Sequence, residues 1–284
     1  MLVGVDLSFR AGDNGKRQNE DNRRPQGMKG NTSKLNDRQQ QMLDHITREG
    51  ELRVSDLKET YGVTEMTIRR DLERLEDTGA VKRTFGGVIF VGKDIALQER
   101  TGLLIEEKAR IGRHAASLVQ PGESIFIDGG TTTAQIARYL EPNRNVTVVT
   151  NALNVVMELS GKGMPVLMTG GMHVEATNSL VGPIAAGMLA GMAFDRVFLG
   201  ATGVSAEHGF SNSNIYEAEI KRIAISQAKE SNVVIDHTKF GASVLISFAP
   251  LSGVQRIITD AMPNDELALV CRERDVLLEI AAEK

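Results

Sequence analysis

The residues best suited to binding an anion are Asp128-Gly129-Gly130-Thr131-Thr132-Thr133, which lead from the apolar run SIFI directly into the helical stretch TAQIARYL. Glycines let a backbone approach an anion closely, a helix amino terminus offers unpaired N–H groups, and three hydroxyls add donors. A phosphate or carboxylate cradle is expected there, against the plainer reading of a turn and a helix cap. Polar or glycine residues also close other apolar runs. They are Thr150-Asn151 after VTVV, Thr169-Gly170-Gly171 after VLM, Gly200-Ala201-Thr202-Gly203 after VFL, and Asp236 to Gly241, with Lys239 among them, after VVI. Each alone could be a turn. Together they mark one functional edge.

Glu217 and Lys221 lie four residues apart in the helical stretch EAEIKRIAISQA and so share one helix face. One reading is an ion pair on the surface. The other is functional: Glu217 could accept sugar hydroxyls and Lys221 could meet an anion. Together with Asp128, a carboxylate and an ammonium near a sugar's carbons could even move protons, as an isomerase requires.

A second chemistry lies upstream, in Val63 to Val88, VTEMTIRRDLERLEDTGAVKRTFGGV. Ile68, Leu72 and Leu75 repeat at i, i+4, i+7, which buries one stripe of a helix and leaves Thr64, Glu65, Thr67, Arg69 and Arg70 free to project from its amino-terminal half. Those are the positions that enter a major groove. SDLKETYG precedes it as a short helix with Ser55 as its expected N-cap, Gly62 makes the turn, and Thr64 caps the second helix. Downstream, a strand from Ala80 and Val81 turns at Gly86-Gly87 and returns through Val88, Ile89 and Phe90. The pattern is a helix-turn-helix with a β wing. Residues 35 to 90 hold slightly more acids than bases, so any phosphate-binding surface must be local, built from Arg69, Arg70, Arg74, Lys82 and Arg83.

These sites need elements to hold them. From Lys108 onward the apolar runs SIFID, VTVVT, VLMT, VFLG, NVVID and RIIT alternate with helical stretches, which predicts a parallel sheet with helices on both faces. In such sheets ligands bind outside the carboxyl ends of the strands, where the polar and glycine residues fall. From Leu35, NDRQQQMLDHITREG makes a first helix with Met42, Leu43 and Ile46 inward. Residues 1–34 read as a disordered extension in which Met28 is an alternative start, 35–90 as the winged helix-turn-helix, 91–107 as a charged linker, and 108–284 as the larger α/β domain.

Composition narrows the class. A chain of 284 residues with 41% hydrophobic content and a formal charge of −4 suits a soluble protein of that organisation. No apolar run reaches the roughly 20 residues that span a bilayer, and the start is too soon polar for a signal peptide, so a cytoplasmic location and no membrane partner are expected. The single Cys271 rules out an intramolecular disulfide and a cysteine cluster, and reads as a small core residue. Five scattered histidines form no metal-binding pattern, so no metal and no cofactor are expected.

TIRRDLERLEDTG followed by R-x-x-G-G resembles the winged helix of the DeoR family of bacterial transcriptional regulators. One departure is Phe85, where members of that family commonly carry a small polar or histidine residue before the paired glycines. The order TTT, VTN, TGG, FLGATG, YEAEIKR, DHTKFG is likewise similar to that family's carboxy-terminal sensor domain, whose fold is similar to ribose-5-phosphate isomerase. The resemblance covers about residues 35 to 260. It implies a sensor that binds a phosphorylated sugar or related metabolite, with the Asp128 to Thr133 loop and Lys239 as contacts. The resulting expectation is a DNA-binding repressor, a homodimer or homotetramer on double-stranded operator DNA, released by a sugar phosphate. The rival is a sugar-phosphate isomerase or related enzyme carrying a DNA-binding domain.

Overall fold

The computed structural model describes residues 35–282, apart from 50, 79, 85, 91–96 and 143. The expectations for residues 1–34 and for Phe85 therefore lie outside the described residues.

The amino-terminal part comprises helix α1 (Asp37–Glu49), strand β1 (Glu51–Arg53), helices α2 (Val54–Tyr61) and α3 (Glu65–Asp77), and strands β2 (Val81–Thr84) and β3 (Gly87–Phe90). The strands form an antiparallel sheet in the order β1-β3-β2. Met42, Leu43 and Ile46 of α1, Leu57 of α2, and Ile68, Leu72 and Leu75 of α3 meet in one buried cluster with Val88. The i, i+4, i+7 stripe on α3 thus does what its spacing requires. Thr64 caps α3 by accepting a hydrogen bond from the Thr67 N–H at 3.3 Å. Ser55, in contrast, is not a cap. The helix starts two residues earlier, at Val54 after Arg53, and Ser55 Oγ bonds its neighbour Asp56 instead. Burial of Val54 in the core draws that residue into the first turn and overrides the hydroxyl signal.

The described residues of the segment read as a charged linker, 97–107, are helical at both ends and carry buried apolar side chains. Helix α4 (Leu97–Thr101) precedes helix α5 (Ile105–Ser117), and Leu97, Leu103 and Leu104 are buried. Leu103 belongs to the winged-helix core itself. Three leucines spaced among charges are enough to seat the chain, and counting charges concealed them.

The larger part continues through β4 (Ser124–Ile127), α6 (Thr131–Tyr139), β5 (Thr147–Thr150), α7 (Leu153–Leu159), β6 (Val166–Met168), β7 (Met172–Val174), β8 (Ser179–Val181) and α8 (Pro183–Ala190). It then runs through β9 (Phe194–Leu199), β10 (Gly203–Ser205), β11 (Gly209–Asn212), α9 (Ile215–Ser226), β12 (Ala228–Val234), β13 (Ile246–Ala249), β14 (Arg256–Thr259), α10 (Asp265–Glu273) and β15 (Leu277–Ile280). Among the described residues, seven strands form a wholly parallel sheet in the order β15-β14-β12-β9-β4-β5-β6. All six apolar runs singled out in the sequence are in it. The last strand, β15, and the small antiparallel pieces β7-β8 and β10-β11-β13 were not anticipated, because their short and partly polar sequences carry little periodicity.

Alternation along each strand divides the core in two. Phe126, Val149, Val197, Leu199, Val233 and Ile257 face α8, α9 and α10, where Cys271 is buried as the small core residue expected. Their neighbours Ile125, Ile127, Val148, Phe198, Val234 and Ile258 face α5, α6 and α7. Helices therefore cover both faces, which is what strands apolar at every position demand. The helix-turn-helix domain followed by an α/β domain with a parallel sheet matches the expected fold class. No helix among the described residues is long and apolar enough to cross a membrane.

Candidate functional site

The chain turns from β4 into α6 through Asp128, Gly129 and Gly130, so the first N–H groups of α6 open onto the carboxyl edge of the sheet. Gly130 is extended there, with φ 163°, so its conformation does not demand glycine. Space does: a Cβ at Gly130 would lie 2.9 Å from Thr133 Oγ1. Asn154 of α7 steadies the loop by donating to the Gly130 carbonyl at 2.9 Å. Gly129, Gly130, Thr131, Thr132 and Thr133 line a cavity together with Gly200, Ala201 and Thr202 after β9, and Ile235, Asp236, Thr238 and Lys239 after β12. Thr133 Oγ1 is buried and has no hydrogen-bond partner among the described residues.

Two expected ligand residues are brought in from α9 in a way the sequence did not reveal. Glu217 and Lys221 form no surface ion pair. Both are buried and line the cavity, and each has its own partners. Lys221 Nζ donates to Asp128 Oδ2 and, at 2.9 Å, to the Gly200 carbonyl. Burial pushes the Asp128 carboxyl upward, while the Lys221 ammonium against it favours the charged form. Glu217 accepts from Thr177, from Ser179 at 3.1 Å and from Asn212 at 2.7 Å. Asn214 caps α9 by accepting from the N–H groups of Tyr216 and Glu217, which aims the first turn inward. Helical spacing made a pair plausible, but the face that both residues share packs on the sheet, so each found a partner across the fold.

Lys108, not among the expected site residues, also lines the cavity. It sits on the buried stripe of α5, in step with Ile111 and Ala115, and its Nζ donates to the carbonyls of Arg100 at 2.6 Å and Leu103 at 2.7 Å. Burial lowers its pKa to about 8. A lysine in phase with apolar positions was the available signal. Asp236 is affected by both cations: desolvation pushes its carboxyl upward, but Lys239, Lys108 and the bond from Thr238 outweigh that and leave it below the usual range. Thr47 of α1 and Phe90 of β3 also line the cavity.

The loops after β5 and β6 take no part in it. Asn151 is fully buried, its Nδ2 donates to the Leu180 carbonyl at 3.3 Å, and its backbone carbonyl accepts from the Leu180 N–H at 2.6 Å. Gly171, at φ 129°, passes so close to β8 that a Cβ would lie 2.5 Å from the Val181 carbonyl oxygen, and a Cβ on Gly170 would lie 3.0 Å from Ile184. Asn151, Gly170 and Gly171 thus seat the β7-β8 hairpin against the edge of the sheet. The lined part of the edge accordingly offers lysine ammoniums, helix N–H groups, hydroxyls and engaged carboxylates, a set that suits a polyol bearing an anion.

At the other end, α3 presents Thr64, Glu65, Arg69 and Arg70 to solvent, with Thr67 half-buried. Arg69 bonds Glu65 at 2.7 Å in an exposed i,i+4 pair. In β2, Lys82 is exposed, while Arg83 bonds Glu76 of α3 at 2.6 Å and so ties the wing to the helix. Exposed pairs of this kind are weak in water, so either arginine can exchange its partner for a phosphate at little cost. Met66 was missed: it is 74% exposed between Glu65 and Thr67, where an apolar side chain can meet a thymine methyl. Asp71, on the opposite side of α3, is buried and holds Arg38 and Gln39 of α1 at 2.8 and 2.9 Å, which fixes α3 against α1.

Residues 38–94 match the model of the DeoR-like helix-turn-helix domain, and residues 104–261 that of the DeoR C-terminal sensor domain. The HTH-type transcriptional regulator IolR of Bacillus subtilis (strain 168) is 32% identical over 245 residues, 85% of this chain and 98% of that protein. The lactose phosphotransferase system repressor of Streptococcus mutans serotype c is 32% identical over 251 residues, 84% of this chain and 99% of that protein. Among solved structures, ribose 5-phosphate isomerase A of Methanocaldococcus jannaschii aligns at 20% identity and a TM-score of 0.35 over 47% of this chain and 53% of that one, values that carry no weight on activity.

Proposed function

This chain belongs to the DeoR family of transcriptional regulators, and from that premise we propose that it represses a carbohydrate-metabolism operon and leaves its operator when a phosphorylated sugar or related metabolite binds. The observation that carries the effector reading is the cavity at the amino terminus of α6, where Thr133 Oγ1 is buried without a partner among the described residues and Lys239 and Lys108 line the same space. The name of the lactose phosphotransferase system repressor points the same way.

In this reading Arg69, Arg70, Lys82 and Arg83 meet phosphates or base edges, and Thr64, Glu65 and Thr67 lie near base edges. One recognition helix reads few base pairs, so a homodimer or homotetramer places two of them about 34 Å apart on a palindrome. The protein acts in the cytoplasm, where operator and metabolite are found. A hundredfold change in operator affinity needs a differential effector affinity of about 2.7 kcal/mol between the two conformers. A few charge-assisted hydrogen bonds supply that.

Binding without turnover is the reading that goes with a sensor: Thr177, Ser179 and Asn212 hold the Glu217 carboxylate and Lys221 holds Asp128 Oδ2, which fixes both groups in place as a binding site requires. The test is a thermal-shift screen of pentose and hexose phosphates on the purified chain, followed by operator binding with and without each hit and by NMR of the incubated compound. A sugar phosphate that raises Tm, releases DNA and is recovered unchanged is the expected result. Conversion of the compound, abolished by Glu217→Gln, would instead make the chain an enzyme.

A further inference from the structure

The cavity draws its walls from both parts of the chain. Thr47, in the last turn of α1, and Phe90, at the end of β3, line it together with the Gly130 loop. Specific bonds hold them there. The Leu104 N–H at the start of α5 donates to Asp44 Oδ1 of α1 at 3.0 Å, and Lys108 Nζ grips the carbonyl of Leu103, whose side chain lies in the winged-helix core. Lys239 Nζ lies 6.0 Å from the centre of the Phe90 ring, within range of a cation–π attraction. One ammonium therefore faces the cavity and also attracts the wing strand.

We infer that the DNA-binding part reads the cavity's occupant directly: an anion there takes Lys239 from the Phe90 ring and so loosens the seating of β3 and α1 on the sensor. This rests on the anionic-effector reading above. A phosphate oxygen accepting a charge-assisted hydrogen bond outcompetes an aromatic face for an ammonium. Coupling is reciprocal, so a change that weakens the hold of Phe90 on Lys239 must strengthen the hold of the anion.

The experiment is a phosphorus NMR titration of the full chain with inorganic phosphate, in wild type, Phe90→Leu and Gly130→Val. Phe90→Leu keeps an apolar side chain and removes the ring, so phosphate should bind roughly two- to fivefold more tightly. Gly130→Val should lose phosphate. If Gly130→Val loses it while Phe90→Leu binds as wild type or more weakly, the inference fails and the effector reading survives. Should wild type take no phosphate, or Gly130→Val take it undiminished, both fail. Hydrogen exchange on the wild type gives an arm that needs no variant. Saturating phosphate should speed exchange of the amides of β3 and of the last turn of α1, and unchanged or slower exchange there overturns the inference.

Discussion

Lys221 Nζ, from the cavity wall, and Asp128 Oδ2, just behind the lining, meet across 93 residues of sequence, and each side chain is only 4% exposed. The pair joins α9 to the end of β4. Removing one partner leaves an uncompensated buried charge, so Lys221→Met should destabilise the fold by about 3–5 kcal/mol. Adding Asp128→Asn should return part of that loss. Urea unfolding of the two single variants and the double variant measures the cycle, and a loss below about 1 kcal/mol for Lys221→Met would reject the pair as a structural tie.

The recognition helix makes a separate prediction. Arg69 and Arg70 are exposed on α3, and changing both to Ala touches none of Ile68, Leu72 and Leu75 in the core. Folding should be unaffected. Binding to the chain's own promoter should weaken, with a salt slope flatter by about 0.9 log units for each DNA phosphate that is no longer neutralised. An unchanged affinity and slope would refute the assignment of α3.

Gly130→Val examines the cavity in the whole regulator. The added Cβ would press on Thr133 Oγ1, 2.9 Å away, and the branched side chain would occupy the space where an anion's oxygens approach the α6 N–H groups. The variant should bind operator and ignore the metabolite. In mixed oligomers it should dominate over wild type. A folded Gly130→Val protein that releases DNA at the wild-type metabolite concentration would move the pocket elsewhere.

A pH dependence follows from His237, whose Nδ1 lies 2.6 Å from Asp260 Oδ2. The hydrogen bond to Asp260 raises the imidazole above its ordinary 6.5, against the opposing effect of burial. A raised folded-state value means the stabilisation is complete below about pH 6.5 and is lost as pH rises through the folded value. Between about pH 6 and pH 8 the Tm of wild type should therefore fall further than that of His237→Gln. Parallel falls would show that the pair contributes nothing.

The wing and the cavity differ in how much of them could be read in advance. The winged helix is built from contacts local in sequence, so the stripe Ile68, Leu72, Leu75 and the cap Thr64 carry its layout. The parallel sheet announces itself through runs such as VVI and VFL, which are apolar at every position because both faces are covered. The order of those strands is another matter. Which loops share an edge depends on it, and β5 and β6 stand at the far end, where Asn151, Gly170 and Gly171 pack the β7-β8 hairpin instead of lining the cavity.

Residue types and local periodicity alone determined that this chain has a helix-turn-helix, a wing and a doubly covered parallel sheet with a glycine-threonine turn into a helix at Asp128 to Thr133. Tertiary structure decided the partners of the ionisable groups. A charge buried on a helix face must find its counter-charge or donors wherever the fold supplies them, so Lys221 bonds Asp128 rather than Glu217. The same holds for Lys108, which in the sequence is only the first residue of the larger domain until α5 packs and places it beside the cavity, where it donates to the carbonyls of Arg100 and Leu103. Those bonds join groups that only the folded chain brings together, and their energy depends on desolvation that no local pattern encodes.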